Sequence, residues 1–469
     1  MNPRNSIWYD VLTLNSYVAR CQSVLQAGRS DNDILLYWPI SDLWNNPHGM
    51  LPDMTVSDTA WFSNQPIGAT ALALWDHGYS FDYISDRELR TAKALNGKVR
   101  VPGGTYRLVL SPPCHLIPLQ TLRHLIALAK DGATVIFESK LPDDVPGRGR
   151  LEERRSELKR LLAQIHTVSV GKNLQEANIG RGRIPVGNGE AALKRAGVTR
   201  EPMVDHAGVF FIRRIFPGGW SYFIADRHGT PLNGWVTLGC PARSVVMMDP
   251  MTGRTGLAAV RHEDGKTQVY LQLPHGGSVT LHLFANRLID ERARTYWQSD
   301  GPPVNLSGEW HVKFIRGGPV LPLPFKTAKL ESWTARSDTN VQRFACTARY
   351  SLTFDAPENR EGRYFLDLGE VCQNARVSLN GHRLGTLLTP PFEAPVELKP
   401  SDNRLVIEVT NVSANRIRDL DRRHVKWKIF HGINFVNINY RPFNAANWPL
   451  YDSGLLGPVT VTPIRILKP

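Results

Sequence analysis

The order of predicted strands and helices changes once along the chain, near Asp205, and this change constrains the fold most strongly. Before Asp205, short apolar runs alternate with stretches of helical periodicity. The apolar runs lie at 33–39, 81–85, 106–111 and 133–137, and the helical stretches lie at 67–78, 119–130 and 151–166. Alternation of this kind predicts a mostly parallel sheet with helices on both faces. We therefore predict a flavodoxin-like α/β domain over residues 29–204.

After Asp205 the helical periodicity stops and short strands follow one another. Glycine-rich turns such as His275-Gly276-Gly277 separate these strands. Short strands with such turns predict a small β-sandwich, which we place at residues 205–286. The charged stretch 287–304 contains Gly301-Pro302-Pro303 close to its end and is predicted to be a linker.

A second β-rich unit is predicted at residues 305–469, mainly from the run 366–411. This run has alternating apolar residues on both sides of an Asn380-Gly381 turn, the pattern of antiparallel strands folded back on each other. It resembles the β-sandwich that large bacterial glycosidases use as a sugar-binding or spacer module. The resemblance implies a galactose-binding-like jelly-roll β-sandwich, so the whole chain is predicted to be multidomain, α/β followed by all-β.

Residues 6–28 are predicted to form one helix that stands apart from these domains, within a segment 1–28. Its apolar positions include Leu12, Leu14, Val18 and Val24, and Gly28 suits its C-terminal end. An apolar stripe on a helix needs a surface to cover it. We expect this helix to dock onto the α/β domain or onto a partner chain.

Composition limits the class of protein. With 469 residues, 42% hydrophobic and 21% charged, the chain matches an ordinary globular protein of about three domains. Its five scattered cysteines predict buried free thiols. No apolar run approaches the ~20 residues needed for a membrane span. The N-terminus lacks the pattern of a signal peptide, so the chain as written is expected in the cytoplasm.

The formal net charge of +13 raises the question of a nucleic-acid partner. The basic runs at 148–160 and 416–428 are interleaved with acids such as Glu152 and Asp421. Nucleic-acid binding usually shows a one-sided basic patch instead. We therefore expect a solvated basic surface and no nucleic-acid partner.

Carboxylates at strand ends are the first candidates for chemistry, because glycoside hydrolysis needs two carboxyl groups flanking the scissile bond. Glu138 is the strongest single candidate, since it ends a predicted strand at the carboxyl edge of the sheet. Asp82 and Asp86 lie around another strand, and Asp249 lies in a predicted turn. No partner acid is placed comparably, so we predict loop or capping roles for them and assign no catalytic residue.

Other chemistries are supported no better. Cys114 and His115 are neighbours on an extended segment, so their side chains point to opposite faces and do not form a nucleophile–base pair. The sequence has no glycine fingerprint after the first strand and no helical His-x-x-x-His pair. We predict no cofactor site and no metal site.

Three stretches together resemble one enzyme family. Residues 16–28 followed by 33–39 are similar to the junction after the catalytic barrel of glycoside hydrolase family 106, the α-L-rhamnosidases. The run 366–411 and the segment 453–459 resemble the C-terminal sandwich of that family, in the same order and spacing. The resemblance implies that the catalytic carboxylates and calcium ligands lie in an N-terminal (β/α)8 barrel, which would precede residue 1. It also implies that the segment 1–28 is a residual helix from the junction with that barrel. It also implies a periplasmic or secreted location for many family members.

The resemblance leads to a functional expectation with one alternative. We expect an accessory, carbohydrate-binding portion of an α-L-rhamnosidase-like glycoside hydrolase that acts on rhamnose-containing polysaccharides and is not catalytic alone. Its partners would be carbohydrate and either a separate barrel-containing chain or a second copy, through residues 6–28. The alternative is a free-standing carbohydrate-binding or interaction protein without hydrolase activity.

The segment from His424 onwards is the preferred place for sugar contact. It supplies the flat faces of Trp427 and Trp448, with Arg441 and Asp452 as polar partners. Sugar sites combine an apolar face for the C–H patch of the ring with polar groups that fix the hydroxyls. The competing interpretation is that this segment only seals the sandwich against the neighbouring domain.

Overall fold

The computed structural model describes residues 3, 5–45, 59–227, 230–357, 362–428 and 441–469. The chain is multidomain and mostly β, with several separate sheets. Separate groups of buried apolar side chains lie on the two faces of the N-terminal sheet, in a middle β unit and in a C-terminal β unit. Among the described helices, none is long and apolar enough to cross a membrane.

The N-terminal α/β unit is built on a mainly parallel sheet. In spatial order its strands are Phe81–Ile84, Ile34–Tyr37, Leu108–Ser111, Thr134–Glu138, Gly182–Gly187, Leu174–Ile179 and Val168–Gly171. The first five of these run parallel, and the last two pair antiparallel at the edge. All four residues of Ile34–Tyr37 are buried, which explains why this strand is apolar throughout and does not alternate.

Helices cover both faces of this sheet. Leu119–Lys130 and Leu151–Leu162 contribute to one buried face, whereas Pro66–Asp76 and Gly189–Arg195 contribute to the other. The remaining elements of this unit are the short helices Ile40–Asn45, Ala60–Ser63 and Asp86–Leu89, the 3-10 helix Pro202–Asp205, and the strands Lys93–Leu95, Lys98–Val101 and Gly104–Tyr106. The predicted α/β alternation is confirmed, although the helix expected over 151–166 ends at Leu162.

The N-terminal helix docks elsewhere than predicted. A 3-10 turn, Trp8–Asp10, leads into the helix Val11–Leu25. The helix packs on the middle β unit, where the Tyr17 hydroxyl lies 2.9 Å from Ser278 Oγ. The expectation of docking onto the α/β domain is therefore wrong. The cause is Gly28, whose positive φ of +66° turns the chain so that Arg29–Ser30 pairs with the strand Val209–Phe216.

The middle unit packs two sheets face to face. One contains, in spatial order, Arg29–Ser30, Val209–Phe216, Gly219–Asp226, Ser278–Phe284, Ser244–Met248 and Thr255–Leu257, and the other contains Leu232–Leu238, Lys266–Leu273 and Val260–Glu263. Tyr222 and Leu281 from the first sheet meet Val236 and Leu271 from the second in a shared core. The predicted sequence of short strands is confirmed.

The C-terminal unit also consists of packed sheets. One contains Phe325–Thr327, Trp310–Gly318, Ala345–Phe354, Asn403–Thr410, Asn374–Leu379 and His382–Leu387 in spatial order, and the second contains Tyr296–Ser299, Thr460–Leu467, Arg363–Asp367 and Glu393–Glu397. Smaller elements are the strands Val304–Asn305, Glu370–Cys372 and Gly454–Gly457, the 3-10 helix Trp333–Ala335, and the helices Thr339–Gln342 and Ala414–Arg422. Asn380, with a φ of +52°, and Gly381 form the predicted hairpin turn.

The predicted linker 287–304 contains a strand. Residues Tyr296–Ser299 pair antiparallel with Thr460–Leu467. Tyr296 is 4% exposed, and its hydroxyl accepts a hydrogen bond from the Ala259 backbone N–H at 3.0 Å. The prediction of a linker is wrong for these four residues, because the buried aromatic ring fixes them between the middle and C-terminal units.

A buried ionic network joins the α/β unit to the middle unit. The Glu201 carboxylate is fully buried and accepts hydrogen bonds from Arg213 at 2.6 Å, from the Tyr222 hydroxyl at 2.6 Å and from the Gly239 N–H at 2.7 Å. Arg213 also binds Asp31 at 2.6 Å. Burial, reinforced by the nearby Glu201 carboxylate, raises the pKa of Tyr222 well above its ordinary value. The network therefore holds a buried carboxyl group, with three hydrogen-bond donors, inside the interface.

Candidate functional site

The two tryptophans predicted to contact sugar lie in one aromatic cluster. Trp427 and Trp448 both pack edge-on against Phe443, with ring centroids 6.1 Å and 5.5 Å apart. The Lys428 ammonium lies 5.6 Å from the centre of the Trp427 ring and 5.5 Å from that of Phe443. Both tryptophans are half-buried, so part of each ring is available at the surface. Residues 429–440 of the predicted segment lie outside the described residues.

Asp421 organises this aromatic cluster. Its carboxylate accepts hydrogen bonds from Trp427 Nε1 at 2.7 Å and from the Ala445 N–H at 2.8 Å, and it pairs with Lys428 Nζ at 3.1 Å. Burial opposes ionisation, but the hydrogen bonds from Ala445, Trp427 and Lys428 outweigh it and hold the pKa of Asp421 below its usual value. Asp421 is therefore a charged anchor that fixes the orientation of Trp427.

The backbone beneath the cluster is held by the last helix. Arg418, on the helix Ala414–Arg422, donates from Nε to the Trp448 carbonyl at 2.6 Å. Lys428 Nζ donates to the Phe443 carbonyl at 2.7 Å. Each bond ties a side chain of the basic run to the carbonyl of an aromatic residue. The basic run 416–428, which was predicted to be only a solvated surface, thus also positions the aromatic cluster.

A buried polar group anchors the next part of the segment. Asn415 Nδ2 donates to the Tyr451 carbonyl at 2.7 Å and to Ser453 Oγ at 3.3 Å, and Asn411 Nδ2 donates to Ser453 Oγ at 3.1 Å. Asn411, Asn415 and Ser453 are all buried, so these amides satisfy backbone and hydroxyl groups that water does not reach. The residues after Trp448 are therefore held in a defined path.

The two predicted polar partners have different positions. Arg441 is exposed at the edge of the described segment. Asp452 is also exposed, and its Oδ1 accepts a hydrogen bond from Thr334 Oγ1 at 3.4 Å. Asp452 thus faces the 3-10 helix Trp333–Ala335, whereas Trp427 and Trp448 share Phe443. Sequence reasoning missed Asp421 as an anchor because it counted this acid only as a neutralising charge within a basic run.

The strand-end carboxylates are engaged by neighbouring hydroxyls. Glu138 accepts a hydrogen bond from Thr70 Oγ1 at 2.6 Å, and Asp82 accepts one from the Tyr106 hydroxyl at 2.7 Å. Asp86 accepts from the Tyr37 hydroxyl at 2.8 Å and from Thr121 Oγ1 at 2.5 Å. The contacts of Glu138 and Asp86 tie strand ends to helices, and the contact of Asp82 joins two strands, so all three have structural roles.

The remaining candidates have local partners too. Asp249 accepts hydrogen bonds from the Met251 N–H at 2.8 Å and from Thr252 Oγ1 at 2.6 Å, which confirms its predicted role in a turn. Burial raises the pKa of the Cys114 thiol to about 12, whereas His115 pairs with Asp143. A thiol with so high a pKa is unreactive near neutral pH.

Neither disulfide bonds nor a cluster of metal ligands is found among the described residues. All five cysteines are free thiols, four of them buried and Cys372 half-buried, in agreement with the sequence prediction. Within the described ranges, no three His, Cys, Asp or Glu side chains are grouped closely enough to hold a metal ion.

Comparison with known proteins assigns the family. A family model described as glycoside hydrolase family 106, alpha-L-rhamnosidase, matches residues 2–262, which is more than half of the chain. The chain therefore belongs to the glycoside hydrolases and, within them, to the α-L-rhamnosidase family 106. The family prediction made from the sequence is confirmed.

Two individual proteins show how far the similarity extends. The solved structure of a rhamnosidase from Novosphingobium sp. PP1Y is similar over 99% of this chain, with a TM-score of 0.70 and 25% identity, and this chain covers 42% of that protein. A protein of Formosa agariphila named "Putative beta-glucuronidase" is 29% identical over 220 residues, which is 42% of this chain and 18% of that protein. The chain thus spans less than half the length of the relatives it matches.

Proposed function

We propose that this chain is the accessory, carbohydrate-binding portion of an α-L-rhamnosidase-like glycoside hydrolase that acts on rhamnose-containing polysaccharides. The observation that carries the proposal is the similarity to the Novosphingobium rhamnosidase, which extends over 99% of this chain but over only 42% of that protein. We further propose that bond cleavage requires a barrel domain and that this chain alone does not catalyse it. Glu138 and Asp86 accept hydrogen bonds from neighbouring hydroxyl groups, which supports a structural and not a catalytic role for these two carboxylates.

The proposed domain architecture follows the strand orders. Numbered along the chain, the parallel strands of the N-terminal sheet lie in the order 2-1-3-4-5, which is the order of flavodoxin-like folds. This order supports a flavodoxin-like domain over residues 29–204. The strand Arg29–Ser30 is an exception, because it pairs with a strand of the middle unit. The packed antiparallel sheets support a small β-sandwich over 205–286 and a galactose-binding-like jelly roll over 305–469.

The proposed sugar contact is the surface formed by Trp427 and Trp448, with Arg441 and Asp452 as polar partners. Asp421 and Phe443 hold Trp427 in place, so a ligand would meet a pre-ordered ring and would not have to immobilise it. The competing role is closure of the sandwich against a neighbouring domain. Sugar-dependent changes in tryptophan fluorescence that disappear in Trp427→Ala would favour sugar contact.

The proposed protein partner is a barrel-containing chain that covers the outer face of the N-terminal helix. Leu12 and Val18 on the helix remain 75% and 40% exposed after it has packed on the middle unit, and Tyr9 on the preceding 3-10 turn remains 56% exposed. Apolar side chains exposed on one element are typical of an interaction surface. Self-association through the same face is the other outcome that experiment can reveal.

The proposal is tested by reading the DNA upstream of the gene and by co-expression with what it encodes. A barrel-coding frame whose product co-purifies with this chain would support the proposal, and Leu12→Glu should weaken that co-purification. Unrelated upstream genes, together with sugar binding by this chain alone, would contradict it and support a free-standing binding protein.

A further inference from the structure

A second candidate binding surface lies apart from the tryptophan cluster. A cleft of about 410 Å³ opens on the C-terminal unit between the strand Phe325–Thr327 and the turn before the helix Thr339–Gln342. Its principal lining residues are Leu323, Phe325, Glu331, Arg336, Ser337 and Asp338. We propose that this cleft is a sugar subsite for a neutral pyranose, preferably a 6-deoxyhexose. The proposal rests on the proposed carbohydrate function and adds a second contact point to it.

The apolar side of the cleft suits the C–H patch of a sugar ring. Leu323 is 82% exposed, and Pro324 beside it continues the apolar wall. The face of the Phe325 ring is covered by the Arg336 guanidinium, whose carbon lies 3.8 Å from the ring centre. A ligand therefore meets Leu323 and the outer plane of the guanidinium. The methyl group of a 6-deoxyhexose would remove part of Leu323 from water, which is favourable.

The polar side of the cleft offers both donors and acceptors. Arg336 supplies N–H donors, Glu331 and Asp338 supply carboxylate oxygens, and Ser337 supplies a hydroxyl that does either. Sugar hydroxyls donate and accept, so a site for them needs both kinds of group. Lys329 Nζ and Arg336 Nη1 each lie 3.9 Å from Glu331. The residues that line the cleft include two acids and one base, Arg336, and this excess of carboxylates favours a neutral ligand over a phosphate or a carboxylate.

The walls of the cleft are held in place by the fold. Asp338 Oδ1 accepts from the Asn340 N–H at 2.8 Å, and Gln342 Nε2 donates to the Arg336 carbonyl at 2.8 Å. Behind them, Trp333 is 1% exposed and donates from Nε1 to the Tyr350 hydroxyl at 2.6 Å. Pre-ordered walls reduce the entropy lost when a ligand binds.

The cleft lies close to Asp452, one of the two proposed polar partners of the tryptophans. Thr334 is two residues from Arg336, which lines the cleft, and its hydroxyl donates to Asp452 at 3.4 Å. Two neighbouring contact points would suit an oligosaccharide better than a single sugar. An affinity that increases with chain length is the expected consequence.

Saturation-transfer NMR with methyl α-L-rhamnopyranoside tests the subsite on the whole chain. The test variants are Ser337→Tyr, which fills the cleft, and Glu331→Gln, which removes one charged acceptor. The matched control is Lys326→Met, because Lys326 lies on the same strand as Phe325 but pairs with Glu309 on the opposite side at 2.7 Å. We expect saturation transfer in the wild type and the control, and binding about tenfold weaker in each test variant. Thermal unfolding of all variants checks that they fold.

Two outcomes would overturn the proposed subsite, and both can be distinguished from a failure of the proposed accessory function. Binding that survives both cleft substitutions but is lost in Trp427→Ala overturns this inference and leaves the proposed function intact. No saturation transfer in the wild type also overturns the inference, while the accessory role in hydrolysis is decided separately by the turnover of an aryl rhamnoside with and without a barrel-containing partner.

Discussion

Replacing Arg213 with leucine should destabilise the chain by about 3 kcal/mol, because it removes the cation that neutralises a buried carboxylate. The Arg213 side chain is 6% exposed and its partner Glu201 is 0% exposed, so water does not replace the lost ion pair. Removing one partner of a buried ion pair typically costs about 3–5 kcal/mol. Tyr222 and the Gly239 N–H still donate to Glu201, which places the expected cost at the lower end of that range.

The assay is urea unfolding followed by tryptophan fluorescence, with Arg261→Leu as the matched control. Arg261 also lies in the middle unit, but its side chain is 46% exposed and pairs with Glu263 at the surface. A surface pair of this kind contributes about 0–1 kcal/mol. The double variant Arg213→Leu with Glu201→Gln should lose less unfolding free energy than the sum of the losses in the two single variants. The reason is that the two side chains interact directly, so each single change already breaks the same ion pair. Equal decreases in the free energy of unfolding for Arg213→Leu and Arg261→Leu, or additive decreases in the double variant, would contradict this prediction.

Three further changes test other parts of the structure. The lowered pKa of Asp421 means that its stabilising contribution is complete above the ordinary carboxyl pKa of about 4 and is lost as the pH falls through the lower folded value. The stability difference between wild type and Asp421→Asn, measured as urea midpoints, should therefore shrink below that pH, and a constant difference would contradict this. Tyr350→Phe removes the acceptor of two buried N–H donors, those of Trp333 and Leu455. It should lower the free energy of unfolding by about 1–3 kcal/mol for each donor, and an unchanged thermal midpoint would contradict this. Leu12→Glu should reduce self-association in light scattering without lowering the thermal midpoint, since Leu12 is 75% exposed; a wild type that is already monomeric would exclude self-association.

Local patterns in the sequence predicted most of the secondary structure. The buried strand Ile34–Tyr37 was recognisable because all four of its side chains are apolar, and the hairpin at Asn380 because its turn residues adopt positive φ readily. The helix Leu119–Lys130 matched its prediction because its apolar spacing has a helical period. These features depend on neighbours in sequence, so one sequence is sufficient to find them.

Contacts between units could not be predicted from the sequence. The N-terminal helix contacts Ser278, and the 3-10 turn before it contacts Arg376; both partners lie hundreds of positions away along the chain. The strand Tyr296–Ser299 was assigned to a linker because its pairing partner, Thr460–Leu467, is equally remote. The aromatic residues of the candidate site were found from composition. The role of Asp421 required knowledge of which side chains surround it.

We propose above that this member of the α-L-rhamnosidase family needs a barrel-containing partner for catalysis, and an activity assay tests that proposal. The most direct measurement is the turnover of 4-nitrophenyl α-L-rhamnopyranoside by the pure chain, alone and with the co-expressed barrel protein. We expect no turnover above the uncatalysed rate by the chain alone, and turnover once the barrel is added. Enzyme-dependent turnover by the chain alone that Glu138→Gln or another single substitution in this chain abolishes would contradict it.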